Sequence, residues 1–417
     1  MPIRAEPSAI VGWGSVSPLG GDAESTWQAV QKGASGIGCL QEEWSRDLPV
    51  RIAGRVPQEA LDSLSPVLRR RSDRCAQLAL IAARQAWSMA SPLTNGLDPD
   101  RIAVVLGTGI GGLATMHDQH SQLTRGGPDR VNPLTVPMLI PDAPAGQVAI
   151  DLGLKGGAHT PVSACASGAE ALMLAQMLLN DDRADLVLAG GAEAPVNRLG
   201  LVGFAAMRAL SSQNDTPNTA SRPYGAKRDG FVLSEGAGML ALMRGHDAPQ
   251  SSAKGWLLAS GSSSDAHHIV APEPQGLQAS RAIEDALRRA DISPSDLCAV
   301  QAHATGTSLG DLAEARALRR SLGGAADHLP VCAPKGQLGH LLGGAGAVEA
   351  ILALQWLRDG VIPQSGNADP LDPEIELAVT ATGPVSLGAD ASSRLLLKNA
   401  FGFGGHNISL VLAGSNA

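Results

Sequence analysis

Short apolar runs alternate with Ala/Leu-rich stretches of helical period along this chain, and that alternation limits the possible folds more than any other feature. The runs IAVVLGTG (102–109), ADLVLAGG (184–191) and LLLKNAFG (395–402) read as buried strands, and stretches near 75–90, 167–179, 278–290 and 345–358 read as helices. Strands spaced by helices predict an α/β architecture, a sheet covered by helices. The order also echoes itself. DPDRIAVVLGTG (98–109) resembles SPSDLCAVQAHATGT (293–307), and TPVSACASGAEAL (160–172) resembles LPVCAPKGQLGHLLGG (329–344). The two offsets differ, so the expectation is a duplicated topology with unequal insertions. One half would span 1–250 and the other 251–417, joined near 245–256, where GHDAPQSSAKG is rich in Gly, Pro and Ser.

At 417 residues, 44% of them hydrophobic and 17% charged, the chain can bury a large core and is unlike a disordered one. With one Tyr and four Phe, that core must be aliphatic, and little is left for base-stacking platforms. A net charge of −8 also argues against nucleic acid, so an acidic partner would need a local basic patch. The five cysteines are odd in number, scattered and without a CxxC pair, which fits a reducing compartment and neither a disulfide framework nor a zinc site. The opening MPIRAEPSAIVGWG has no apolar signal core, and no uncharged run approaches the length of a membrane span, so a cytoplasmic protein is expected.

Four stretches carry chemistry. In TPVSACASGAEALMLAQMLL, Cys165 stands where a β-branched run ends and an Ala/Leu helix begins. Unpaired N–H groups and the positive end of the helix dipole favour thiolate over thiol there, and Gly168 lets another segment approach the first turn. The alternative is a small buried cysteine, as expected for Cys298 and Cys332 inside apolar strands. In QAHATGTSLGDLAEARAL (301–318), His303 ends a strand, Thr305 to Ser308 form a polar turn, and Asp311 and Glu314 begin a helix, where Asp311 could be only a helix-start residue. In APKGQLGHLLGGAGAVEAILALQWL (333–357), Lys335 and His340 flank a Gly-containing turn that leads into a helix. His340 near that N-terminus should be a neutral donor able to stabilise an oxyanion or enolate, and Glu349 on an apolar helix needs a cationic partner if buried. Finally, KNAFGFGGHNISLVL (398–412) is strand, Gly-rich turn and strand, without the context of a phosphate loop.

Together these stretches resemble the elongating β-ketoacyl-acyl-carrier-protein synthases, condensing enzymes of the thiolase-like fold. The resemblance runs from AIVGWGSVSPLG (9–20) through ASRPYGAKRDGFVLSEGAG (220–238) to the C-terminus. It implies duplicated α/β halves in a layered α-β-α-β-α architecture, the nucleophile on the first half and the two His and the Lys on the second. It implies further that Cys165 carries the acyl group as a thioester, while His303 and His340 promote decarboxylation of malonyl carrier protein and stabilise the enolate that attacks it. The N–H groups of Cys165 and Phe401 would form the oxyanion hole. Lys335, paired with Glu349 and near Asp311, would orient the histidines. Thr305 and Thr307 would hold the pantetheine arm, and Phe401 with Gly402 would gate the acyl pocket.

The partner implied is an acidic acyl carrier protein. Arg69, Arg70, Arg71 and Arg74 of LRRRSDR (68–74), together with Arg208, are the docking candidates, with a solvated helix face the alternative for the arginine run. Resemblance implies a homodimer with pockets at its interface, and chemistry that needs no metal or organic cofactor. Family members often hold a structural monovalent cation near the position of Glu349, using amide side chains where this chain has Gln301, Lys398 and Asn399. A lysine at 398 is a departure, and its ammonium is expected to replace that cation.

Rival readings separate on single residues. A degradative thiolase needs a second cysteine in the C-terminal Gly-rich loop, and residues 398–410 contain none. Initiating condensing enzymes pair Cys with His and Asn, whereas Lys335 and His340 fit a Cys-His-His set. A non-catalytic chain-length-factor subunit lacks the nucleophile that Cys165 supplies. A ketosynthase of a polyketide or other specialised pathway remains the alternative, suggested by the departures at Gln301, Lys398, Gly306 and Ser308.

Overall fold

A computed structural model describes residues 6–388 and 394–415; the first residues of the segment read as leaderless lie outside these. Ten strands form one mixed sheet: β1 (Ser8–Val16), β2 (Ile102–Gly107), β3 (Ala158–His159), β4 (Leu186–Glu193), β5 (Gly236–Arg244), β6 (Gly255–Ser264), β7 (Leu297–Gln301), β8 (Val331–Cys332), β9 (Leu395–Gly402) and β10 (His406–Gly414). Their order across the sheet is β8-β7-β9-β10-β6-β1-β5-β4-β2-β3. Both halves follow one path. β1 runs antiparallel to β5 and β5 to β4, whereas β4 is parallel to β2 and β2 to β3. Strands β6, β10, β9, β7 and β8 repeat those directions in turn. The halves meet where Ser8–Ile10 of β1 lies antiparallel to Gly255–Leu257 of β6. The echo between residues 98–109 and 293–307 is therefore the echo of β2 and β7.

Six helices complete the layers: α1 (Arg74–Thr94), α2 (Ala143–Leu152), α3 (Ser167–Asn180), α4 (Leu277–Ala290), α5 (Ser308–Leu322) and α6 (Ala345–Asp359). Their sequences say where each belongs. Every residue of α6 from Ala345 to Leu357 is buried, because the helix has no polar face to turn toward water. It lies with α3 in the middle of the molecule, packed between the two halves of the sheet. In α4 the buried residues Ala279, Ala282, Ile283 and Ala286 form one stripe, so this helix covers an outer face together with α5. α1 and α2 cover the opposite outer face. The layers are α-β-α-β-α, as the resemblance implies. Strand β4 is buried along its whole length, which explains why LVLAGGAE shows no polar alternation.

Each middle helix is entered through a strained elbow. One 3-10 turn, Ala164–Ala166, leads into α3, and another, Leu342–Gly344, leads into α6. Ala164 has φ 51° and Leu342 φ 46°, a region L-residues rarely occupy, costing on the order of 1–3 kcal/mol each. The two elbows touch. A Cβ on Gly168 would stand 2.7 Å from the carbonyl oxygen of Gly343, so glycine there permits the close approach.

Candidate active site

The N-terminal elbow holds Cys165, and its shape is fixed by serine. The Ser163 N–H donates to Ser167 Oγ at 3.0 Å, and that hydroxyl donates to the Ala164 carbonyl at 2.7 Å. Against this turn lies the end of β9. A Cβ on Gly402 would come within 2.4 Å of the Ser163 carbonyl and 3.2 Å of the Cys165 N, so glycine brings the β9 backbone onto the elbow. Cys165 is only 7% exposed and packs among Val196, Leu201, Phe231 and Leu342.

A cavity of about 320 Å³ opens at this point, and Cys165, His303, His340, Phe401 and Gly402 share its lining. The strand β7 ends at Gln301, so His303 lies two residues past the strand and not at its end. His303 and His340 meet edge to face with ring centroids 5.5 Å apart. Phe401 lies 5.8 Å from the His303 ring, and Phe231 stands edge-on to His340 at 5.2 Å. Phe204 packs on Phe231 and on Phe403. All four phenylalanines of the chain thus gather at this one place. Their scarcity pointed only to an aliphatic core, which is also present, yet a residue type this rare marks the site.

Burial sets the charge states. It pushes the Cys165 thiol up to about 12, against the pull of the Lys335 charge and of the Phe403 N–H. The helix entrance favours thiolate, whereas burial in an apolar surround works against it. Both histidines are held well below the ordinary imidazole range, first by burial and then by the charge of Lys335. Neutral imidazole was expected at His340; its cause is desolvation and nearby ammonium, more than a helix end.

Behind the histidines lies a sealed set of charges. Lys335 Nζ donates to Glu349 Oε1 at 2.5 Å, and Lys398 Nζ donates to Glu349 Oε2 at 3.1 Å, with all three side chains fully buried. Glu349 therefore has the cationic partner it needs. Asp311 is placed elsewhere than expected. Its carboxylate accepts from the N–H groups of Thr305 and Gly306, both at 3.0 Å, and of Tyr224 at 2.7 Å, with Arg228 at 3.8 Å. It holds the Thr305–Thr307 turn at the cavity wall, where the two threonine hydroxyls lie 3.0 Å apart. The acid beside His303 is Glu314, which accepts from the His303 and Ala304 N–H groups at 2.8 and 2.7 Å and from Asn399 at 3.1 Å. Lys335 charge reaches Glu314 as well.

Glu193 is a further buried acid that motif reading did not single out. It accepts from the N–H groups of Gly109 (2.6 Å), Ile110 and Gly111 (both 3.2 Å), from Thr108 Oγ1 (2.9 Å) and from Gly343 N (3.1 Å). It ties the loop after β2 to the C-terminal elbow. An acid closing an otherwise apolar strand was the available signal.

Among the docking candidates, Arg208 is exposed at the cavity's rim, with φ 54°. Arg69, Arg70 and Arg71 lie on the short helix Pro66–Arg71, away from the cavity lining, with Arg69 paired to Asp62. Arg74 is not available for docking: its guanidinium makes two bonds to the buried Glu235, at 2.8 and 2.6 Å, because it starts α1 facing inward. All five cysteines are free, and no helix among the described residues is long and apolar enough to cross a membrane.

Comparison with known proteins fits this arrangement. The family described as "Beta-ketoacyl synthase, N-terminal domain" matches residues 5–248, and "Beta-ketoacyl synthase, C-terminal domain" matches 255–369. A 3-oxoacyl-[acyl-carrier-protein] synthase 2 of Staphylococcus aureus is 40% identical over 96% of this chain and 99% of its own length. The protein of that name from Synechocystis is 37% identical over 96% of each chain. Among solved structures, a β-ketoacyl synthase from Burkholderia phymatum superposes with a TM-score of 0.89 at 28% identity, over 98% of this chain and 99% of that one. A ketosynthase solved with its type II polyketide acyl-carrier protein gives 0.89 at 27%, over 99% and 100%. With a cysteine-bearing elbow beside two imidazoles and family matches over most of its length, this chain belongs to the β-ketoacyl synthase family.

Proposed function

We propose that this enzyme extends acyl chains by decarboxylative Claisen condensation in fatty-acid synthesis. One observation carries the reading: Cys165, His303 and His340 line a single cavity, with the thiol at a helix entrance and both imidazoles neutral. Cys165 attacks the thioester of the acyl carrier protein: the new acyl–sulfur bond forms on Cys165, the bond from the acyl carbonyl to the pantetheine sulfur breaks, and the thiol proton ends on that departing sulfur. His303 and His340, as neutral N–H donors, stabilise the enolate formed when malonyl carrier protein loses CO₂. The enolate carbon attacks the thioester carbonyl, and the N–H groups of Cys165 and Phe401 bind the resulting oxyanion until Cys165 departs as thiolate. The product is a β-ketoacyl group two carbons longer.

Supporting roles follow from position. Lys335, fixed by Glu349, keeps the imidazoles neutral; Asp311 holds the turn that presents Thr305 and Thr307 to a pantetheine arm. Phe401 and Gly402 gate the passage beside Cys165. No metal ion or organic cofactor enters any of these steps. Arg208, with the exposed Arg70 and Arg71 and the half-buried Arg69 beside them, is the docking surface for an acidic acyl carrier protein in the cytoplasm. Residues 1–250 supply the nucleophile, and residues 251–417 the histidines and Lys335. A second copy of the chain covers the free edge of β3: Val162 beside it and Ile150 of α2 are exposed apolar side chains at that end.

A polyketide ketosynthase is the second reading, favoured by the solved ketosynthase with its polyketide carrier. The higher identity to synthases of 3-oxoacyl chains supports the first. Incubation with malonyl carrier protein and fatty acyl carrier proteins of graded length tests both. β-Ketoacyl product from saturated acyl donors supports elongation; turnover only of poly-β-keto donors supports the alternative.

A further inference from the structure

Lys398 and Asn399 are neighbours on β9, so their side chains point to opposite faces of the sheet. Asn399 reaches Glu314 at 3.1 Å and accepts from Ser409 Oγ at 2.9 Å on one face. Lys398 reaches Glu349 on the other, and its ammonium also donates to the Asn399 carbonyl at 2.9 Å. Gln301, paired in register with Lys398 on β7, is fully buried, and neither atom of its amide has a partner among the described residues.

This is the set that would have to hold a monovalent cation beside Glu349, and it does not fit one. The Asn399 amide is committed to the far face. One carboxylate oxygen of Glu349 faces the Lys335 ammonium and the other the Lys398 ammonium. A cation bound to that carboxylate would lie beside an ammonium of like charge, in a buried place where water screens little of the repulsion. The Gln301 oxygen alone is a poor counterweight. Conversely, the two lysines balance the two buried carboxylates Glu349 and Glu314; without Lys398, acid would outnumber ammonium in a region that excludes water.

We propose that Lys398 is a built-in cation: a positioning residue whose ammonium fixes Glu349, and through it Lys335, so that the site works without a bound sodium or potassium ion. Only the activity arm of its test rests on the condensation reading; the stability arm stands apart from it.

The decisive comparison is wild-type enzyme in potassium, sodium or choline chloride at constant ionic strength. Thermal midpoint and condensation rate should be the same in all three. A saturable rise in either with potassium or sodium, but not with choline, overturns the proposal. Lys398→Asn, which removes the charge and adds an amide oxygen, should lose at least about tenfold in rate in choline and regain several-fold in potassium, whereas Lys398→Met should lose as much and regain nothing. Equal losses in both variants that potassium leaves untouched would make Lys398 a packing residue and overturn its electrostatic role. If neither variant folds, the wild-type cation series still decides. A cation response of stability with intact condensation would sink this inference alone; absent condensation under every cation would sink the catalytic reading alone.

Discussion

The two elbows of this molecule are the same device used twice. Ala164 and Leu342 share the same rare backbone region, each opens a 3-10 turn, and each turn feeds a buried middle helix. At the next position one elbow has Cys165 and the other Gly343. The thiol faces a cavity. At Gly343 a Cβ would meet Gly109 N at 2.6 Å and Glu193 Oε2 at 2.8 Å, so no side chain is tolerated. Of the two strained helix entrances, one seats a thiol at the cavity wall. The other is a close-packed joint that sets His340, two residues before it, against the first.

That contrast can be broken at either elbow. Cys165→Ala should lower condensation by at least about 10³-fold while leaving the thermal midpoint nearly unchanged, read by product formation and calorimetry. A variant that retains turnover would show that the seat is not special. The thiol itself should also betray its buried setting. With its pKa pushed up to about 12, Cys165 should react with iodoacetamide about 10²-fold more slowly than free cysteine at pH 7, with rates rising toward pH 10. A pH-independent rate above pH 7 would reveal a thiolate and contradict the desolvation account.

At the other elbow, Gly343→Ala should cost about 1–3 kcal/mol from overpacking, seen as a lowered denaturation midpoint. Gly402→Ala, which intrudes on the Cys165 turn, should instead lose activity more than stability. If the two behave alike, the division into seat and joint fails. A separate effect concerns pH. Asp311 ionises near 7 in the folded chain, chiefly through burial, against about 3.9 when unfolded. The folded state then binds this proton more tightly, so its contribution to stability is full below about pH 4 and is lost as pH rises to about 7. Asp311→Asn should flatten that part of the pH–stability curve, measured by denaturant titration; an unchanged slope would place the titration elsewhere.

The sequence made the scaffold legible because strand and helix periods are local. The echo of 98–109 in 293–307 becomes the match of β2 and β7, and the resemblance in four motifs led to Cys165, His303, Lys335 and His340, which lie at one cavity or directly behind it. What escaped was whatever depends on distant packing. Glu193 bonds Gly343 across 150 positions, and no window of sequence contains both. Asp311 is expected near Lys335 or as a helix-start residue; helix α5 turns it toward Thr305, while Glu314 takes the place beside His303. Arg74 looked solvated within a basic run until its partner, Glu235, came from β5's approach. The surroundings of the thiol escaped for a related reason: a helix entrance can be read from residues in order, whereas the apolar wall around it is assembled from Val196, Leu201, Phe231 and Leu342.

The central claim is that one sulfur carries the growing chain. The direct test is intact-protein and peptide mass measurement after mixing the enzyme with an acyl carrier protein loaded with a saturated acyl group, without malonyl donor. One acyl mass per chain on the peptide containing Cys165, discharged on adding malonyl carrier protein and absent from Cys165→Ala, is the predicted result. Acyl mass on any other residue, or its persistence in that variant, would contradict the account.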